Sequence, residues 1–169
     1  MDDVKQELIP KDEMIQKVRA AIQDRATWFA LLFEEFSTVL PEEQVIELSR
    51  KAIHRFGLLK AKKDAEPFGA KEWVVRHKEK GSAAVFDSDI EYSDTSAVQR
   101  MKYCALVEAW KALGLSTEKI ELLCDIAMEG DRGRADGHDG ISMELQETIA
   151  KGCDFCNLVI TQDQKEGAA

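Results

Sequence analysis

Much of what marks a functional class is missing from this 169-residue chain. Four cysteines are too few to build a disulfide scaffold at this length, which points to a reducing, cytoplasmic home. No apolar run approaches the roughly eighteen residues of a membrane span. The start, Met1-Asp2-Asp3, is acidic and has no apolar signal core, so export is not expected. A basic excess is absent too: 23 Lys and Arg face 32 Asp and Glu, a net charge of −9, which argues against a nucleic-acid binder. There is no Gly-rich phosphate loop, no Ser-His-Asp pattern in recognisable context and no HExxH, so no cofactor and no metal is called for. What remains is an apolar fraction of 44%, sufficient for the core of one domain. The expected partner is a small molecule, not nucleic acid or membrane.

Periodicity supplies the fold class. From Asp12 to Leu40, Met14, Val18, Ile22, Phe29, Phe33 and Phe36 recur at helical spacing. Around Trp28 to Phe36 the apolar arc widens, which predicts burial by the domain's own core or by a partner subunit, and so a homo-oligomer formed through this aromatic helix. Pro41 opens a second helix that Gly57 can stop. A lysine-rich stretch follows, with a short helix around Trp73 to His77. Ten of the 23 basic residues lie between Arg50 and Lys80, a solvated face that would also steer a small carboxylate. Ala83 to Phe86 reads as a strand and Asp87 to Asp94 as a polar turn; the segment through Tyr103 fits strand or helix, and the rough alternation from Val98 to Tyr103 favours a second strand. Helices return over Ala105–Leu113 and from Ser116 to Gly130. Asp131 to Gly140, with three glycines and five charges, reads as a loop. Ile141–Ala150 and Phe155–Gln162 alternate as an antiparallel hairpin. The sum is an α+β fold, with N-terminal helices followed by a small antiparallel sheet that has helices packed on one face. One domain over residues 11–162 is expected, with flexible ends at 1–10 and 163–169.

Several residues invite a chemical reading. His138, set between Gly137 and Asp139, can hold or release a proton near neutral pH. Asp131, placed after a helix end, meets an unfavourable dipole and needs a partner. Glu147 intrudes on the apolar side of its strand; buried, it would titrate high and serve as acid or base. Pairing with Arg100 or Lys102 on a neighbouring strand is the plainer account. Cys153-Asp-Phe-Cys156 lacks the second pair that a closed zinc site needs, and a strand follows it where a redox motif wants a helix. Cys156 therefore reads as a small buried hydrophobe and Cys153 as a turn residue, with a metal as the alternative. His54 and His77 read as surface residues.

From Ser96 to Ile160 the order of features resembles the L-2-amino-thiazoline-4-carboxylic acid hydrolase family. The likeness rests on Tyr103-Cys104 at a strand-to-helix entry, Ala109-Trp110, Leu123-Cys124-Asp125, Gly130-Asp131 and the closing Glu147-Thr-Ile-Ala-Lys-Gly-Cys-Asp-Phe-Cys156. Carried over by position, the family's cysteines fall on Cys104, Cys124 and Cys156, its acid on Asp131 and its glycine on Gly152. This chain departs at Asn157-Leu158, where the family has Asp-Phe, and in the additional Cys153. The resemblance implies hydrolytic opening of a cyclic amidine-like ring, with N-carbamoyl-cysteine as product. Asp131 or Glu147 would then be the base, and His138 or a cysteine such as Cys156 the proton donor. Cys104 would lie at the substrate, with Arg100, Arg132 or Arg134 on its carboxylate. The closing strand is also similar to 4-vinyl-reductase-like domains, which implies the alternative of a sensor or accessory domain that binds a small molecule without turnover.

Overall fold

The computed structural model describes residues 9–163. Most of the expected flexible ends, residues 1–8 and 164–169, lie outside it. Six helices and a four-stranded antiparallel sheet, in the order β1-β2-β4-β3, form the expected α+β architecture. Helix α1 (Lys11–Val39) buries Ala26, Ala30 and Phe33 against α5 (Ala105–Ala112), and the Trp110 indole of α5 donates to the Ala26 carbonyl at 3.0 Å. The chain's own core covers only part of the aromatic half of α1. Trp28 and Phe36 face outward.

Helix α2 (Glu42–Ala61) runs along α6 (Thr117–Asp136), and this contact corrects the sequence reading. Gly57 does not stop α2, and Gly130 does not stop α6. The segment expected as a loop from Asp131 is helical through Asp136. Its glycines serve closeness instead. A Cβ on Gly133 would collide with the His54 carbonyl, and one on Gly57 with the Gly130 carbonyl. The two backbones therefore touch, as only glycine permits. Side chains then clasp the seam: α2 supplies Arg50, His54 and Lys60, and α6 answers with Asp125 and Glu129, Asp136, and Asp131 respectively. Arg50 and Lys60 of the basic segment are thus the complement of acids on α6.

Three further expectations change. Ala83 to Phe86 is the helical turn α4 (Ser82–Val85), not a strand, because Gly81 at φ 80° reverses the chain after α3 (Ala70–Glu79) and starts a new turn. The first strand, β1 (Ser88–Tyr92), lies in the segment expected as a polar turn. It is an edge strand that half-buries little beyond Ile90, so its alternation is masked. The long strand from Ile141 ends at Leu145 (β3, Ile141–Leu145), and Thr148 caps a short 3-10 turn, Ile149–Lys151, by accepting from the Lys151 amide. The hairpin itself is as expected: β3 pairs antiparallel with β4 (Cys156–Gln162), Met143 opposite Ile160 and Leu145 opposite Leu158. β4 pairs on its other side with β2 (Ser96–Met101). Ala97, Leu158 and Ile160 point from this sheet into a core with Phe68, Trp73, Val74 and Ala135.

The seam gives opposite signs for two neighbouring substitutions. Gly133→Ala should cost about 3 kcal/mol, because the backbone it meets cannot move aside. At Gly130 a Cβ would meet the Ile53 methyl at an ordinary 3.5 Å, so Gly130→Ala should stabilise by up to about 1 kcal/mol through helix propensity. Urea unfolding of both variants reads this directly, and equal effects would contradict the close crossing.

Candidate functional site

The ends of α2 and α6 carry the site. Asp64 lies just past α2, Arg134 in the last turn of α6 and His138 two residues beyond that helix, so the glycine contact brings the three together. Arg134 grips Asp64 with two parallel bonds, Nε to Oδ2 at 2.7 Å and Nη2 to Oδ1 at 2.6 Å. Both side chains are nearly buried, at 4% and 5% exposure. A fork of this kind is the strongest form of carboxylate recognition. His138 Nε2 stands 3.2 Å from Asp64 Oδ2, and its ring stacks on Phe68 with centroids 4.2 Å apart. The Arg134 guanidinium lies over both Phe68 and Trp73, at 4.9 and 4.6 Å from their centroids. Burial pushes the Asp64 carboxyl up, but the bonds from Arg134 and His138 outweigh it and hold Asp64 below the ordinary carboxylate range. Asp64 is therefore an anion at neutral pH.

A cleft of about 650 Å³ opens beside this group. Asp64, His138 and Gly137 form one side, Leu58 and Leu59 give it an apolar wall, and Arg55 and Lys62 bring positive charge alongside the acids Asp64 and Glu66. Behind it runs a second polar chain. His77 Nδ1 lies 3.1 Å from Gln99 Oε1, and Gln99 Nε2 donates to Ser88 Oγ at 2.9 Å. Gln99 is fully buried in β2. His77 is not the surface residue its lysine-rich surroundings suggest. Burial lowers its pKa, against the bond from Gln99 and the nearby Asp131 charge, with Arg134 and Lys60 pushing the same way as burial. The indole N–H of fully buried Trp73 has no hydrogen-bond partner among the described residues.

The residues singled out in the sequence divide between this site and other places. Arg134 and His138 are in it. Asp131 stands at its edge on α6, 3.7 Å from Lys60 Nζ, with no helix end beside it. Glu147 is exposed in the turn after β3, not on the apolar side of a strand, and it pairs with neither Arg100 nor Lys102, which hold Glu91 and Asp89. Arg100 is thus on the outer face of the sheet. Arg132 belongs to the surface cluster with Asp125 and Glu129. Cys104 and Cys124 border the core beneath α1 and α5, and buried Cys156 accepts from the Ile149 amide at 3.3 Å, away from the cleft. Desolvation pushes the Cys124 thiol up to about 12 and Cys156 to about 11, and raises Cys104 as well. These thiols are protonated at neutral pH. Glu147 and Cys156 do not share an enclosed space. Cys153 is exposed where Cys156 is buried, and no group of three His, Cys, Asp or Glu side chains among the described residues is arranged to hold a metal ion. Asp64, Phe68, Trp73 and Gln99 are the members that sequence reasoning misses.

The two titrating groups act in separate pH windows. The folded state holds the His77 proton more weakly than the unfolded chain, so stability is full above the ordinary imidazole value of about 6.5 and falls as pH drops below it. The Asp64 contribution is intact above the ordinary carboxylate value of about 3.9 and is lost only as pH falls through its lower folded value. The urea midpoint should therefore be lower near pH 5 than near pH 7, and His77→Gln should narrow that difference. An equal difference in both proteins would contradict the assignment to His77.

The fold is similar to that of a trafficking protein particle complex subunit 3 from Naegleria fowleri, solved with palmitic acid covalently bound. The TM-score is 0.50 at 10% identity, over 84% of this chain and 97% of that one. At that identity the likeness is one of fold. No curated protein sequence matches the chain. No helix among the described residues is long and apolar enough to cross a membrane. Residues 19–160 match the L-2-amino-thiazoline-4-carboxylic acid hydrolase family, most of the chain including the α2–α6 seam and the cleft, and the protein belongs to that family.

Proposed function

We propose that the chain is a hydrolase that opens a small cyclic amidine-like acid at the cleft beside His138. The observation that carries this reading is the ionised Asp64 carboxylate on one nitrogen of an imidazole that lines a cleft bearing Arg55 and Lys62. Asp64 favours the tautomer with hydrogen on Nε2, which leaves the Nδ1 lone pair as the base; Nδ1 has no protein partner among the described residues. His138 takes a proton from water, and the oxygen bonds to the amidine carbon of the ring. The tetrahedral carbon then expels the ring sulfur or nitrogen, which takes the proton back from His138. Asp64 stabilises the imidazolium in between, and Arg134 keeps Asp64 charged and fixed. Arg134 is therefore a positioning residue here, and Arg55 and Lys62 are the groups that suit a substrate carboxylate. This reading takes His138 as the base in preference to Asp131, which is engaged with Lys60, and to Glu147, which lies on a separate surface.

A second reading is a binding domain without turnover. It is favoured by the likeness in fold to a complex subunit that carries a bound fatty acid. Incubation with 2-amino-thiazoline-4-carboxylic acid, with thiol release followed by a chromogenic reagent, separates the two. The wild type should turn over, and His138→Gln should lose roughly 100- to 10,000-fold in kcat/KM with an unchanged circular dichroism spectrum. Binding without product would favour the second reading. A fully active His138→Gln would sink the assignment of the base.

A further inference from the structure

The outer face of α1 lies outside the cleft and carries several exposed apolar side chains. Ala26, Ala30 and Phe33 fill the inner side of the helix. On the outer side Trp28, Leu32, Phe36 and Val39 follow one another at three- and four-residue spacing, and they are 68%, 38%, 52% and 75% exposed. Trp28 contrasts with Trp73 and Trp110, which are both fully buried. With aromatic side chains of about 150–250 Å² and aliphatic ones somewhat smaller, this strip and its neighbours Leu31 and Leu40 expose roughly 600 Å² of apolar surface. That is the upper end of the range of about 300–600 Å² for the largest patch on a typical soluble monomer. Asp24, Arg25 and Glu34 stand around the strip and Glu35 lies within it, one turn from both Leu32 and Val39; all four are exposed and in no ion pair among the described residues. A largely apolar strip edged by charge is the anatomy of a subunit interface.

We propose that α1 pairs with α1 of a second copy of this chain. Area favours that occupant: two such strips face to face remove about 1,200 Å² from water, the lower bound of a standard specific interface. Symmetry favours it as well, since a two-fold contact requires only that the patch complement itself, and a 29-residue helix offers a ridge about 43 Å long. The rim carries both signs of charge, so it selects no strongly basic or acidic partner. The cleft residues belong to α2 and the turns after α2 and α6, so pairing through α1 leaves them unused, and the proposal is independent of the catalytic reading.

Sedimentation equilibrium on the full chain tests it. The wild type should reach twice its 19.0 kDa mass at micromolar concentration. Association should tighten with added salt, because two chains of net charge −9 repel each other. Trp28 emission should shift to the blue as concentration rises, since the other two tryptophans are already buried. Trp28→Glu should weaken association at least about 30-fold, as expected for the loss of a hot-spot tryptophan, with an unchanged circular dichroism spectrum. Leu48→Glu, an equally exposed apolar site on α2, should leave association as it is. A wild type that stays monomeric at millimolar concentration overturns the proposal, as does a Trp28→Glu variant that dimerises normally. A monomer whose Trp28 emission shifts only on lipid vesicles overturns it in favour of a membrane surface.

Discussion

Where Gly57 and Gly133 bring α2 and α6 to backbone contact, the chain has also fixed the relative position of Asp64, Arg134 and His138. Asp64 follows α2 by three residues, and Arg134 and His138 come one and five residues after Gly133. A helix pair at the usual separation of 8–10 Å would hold these ends farther apart, and the Arg134–Asp64 fork would not close. The polar clasps along the seam reinforce the approach, but they are partly exposed and individually weak. The close crossing itself comes from the absence of side chains at two helical positions. Glycine there carries an entropic cost of about 1 kcal/mol each, which packing offsets.

The Arg134–Asp64 pair sits in the seam as a buried ion pair, and its worth is positional. Burying two charges costs several kcal/mol, and a matched fork returns about that much, so such a pair adds little net stability. It does leave a carboxylate that is ionised at neutral pH against an imidazole, walled by Phe68 and Trp73. The thiols that the family likeness brings to attention are in the opposite situation. Desolvation keeps Cys124 and Cys156 protonated; Cys124 packs against the other core as a small apolar side chain, and Cys156 is buried under the Ile149 amide. The ion pair and imidazole that the proposed chemistry uses are instead gathered at the end of α6.

The architecture was readable in the sequence because helical and alternating periodicities are long-lived signals. The hairpin of β3 and β4 and the long helices were legible for that reason. Family membership was legible from the cysteine and glycine order between Ser96 and Ile160. The end of α6 was not, since glycines that permit a close helix crossing look the same in one dimension as glycines that break a helix. Asp64 was hidden in a similar way: one acid after Lys60, Lys62 and Lys63 reads as a solvated charge, and its partners lie about 70 residues away. His138 stood out only because histidine is rare here and its neighbours are polar. Glu147 misled because the strand ends at Leu145, five residues short of Ala150, which leaves its side chain exposed in the following turn.

A crystal structure of the chain with a non-hydrolysable cyclic amidine acid is the most direct measurement. The account predicts density in the cleft between α2 and the turn after α6, with the ring against His138 and the carboxylate on Arg55 or Lys62. Ligand density beside Cys104 and Cys156, with the cleft empty, would contradict it.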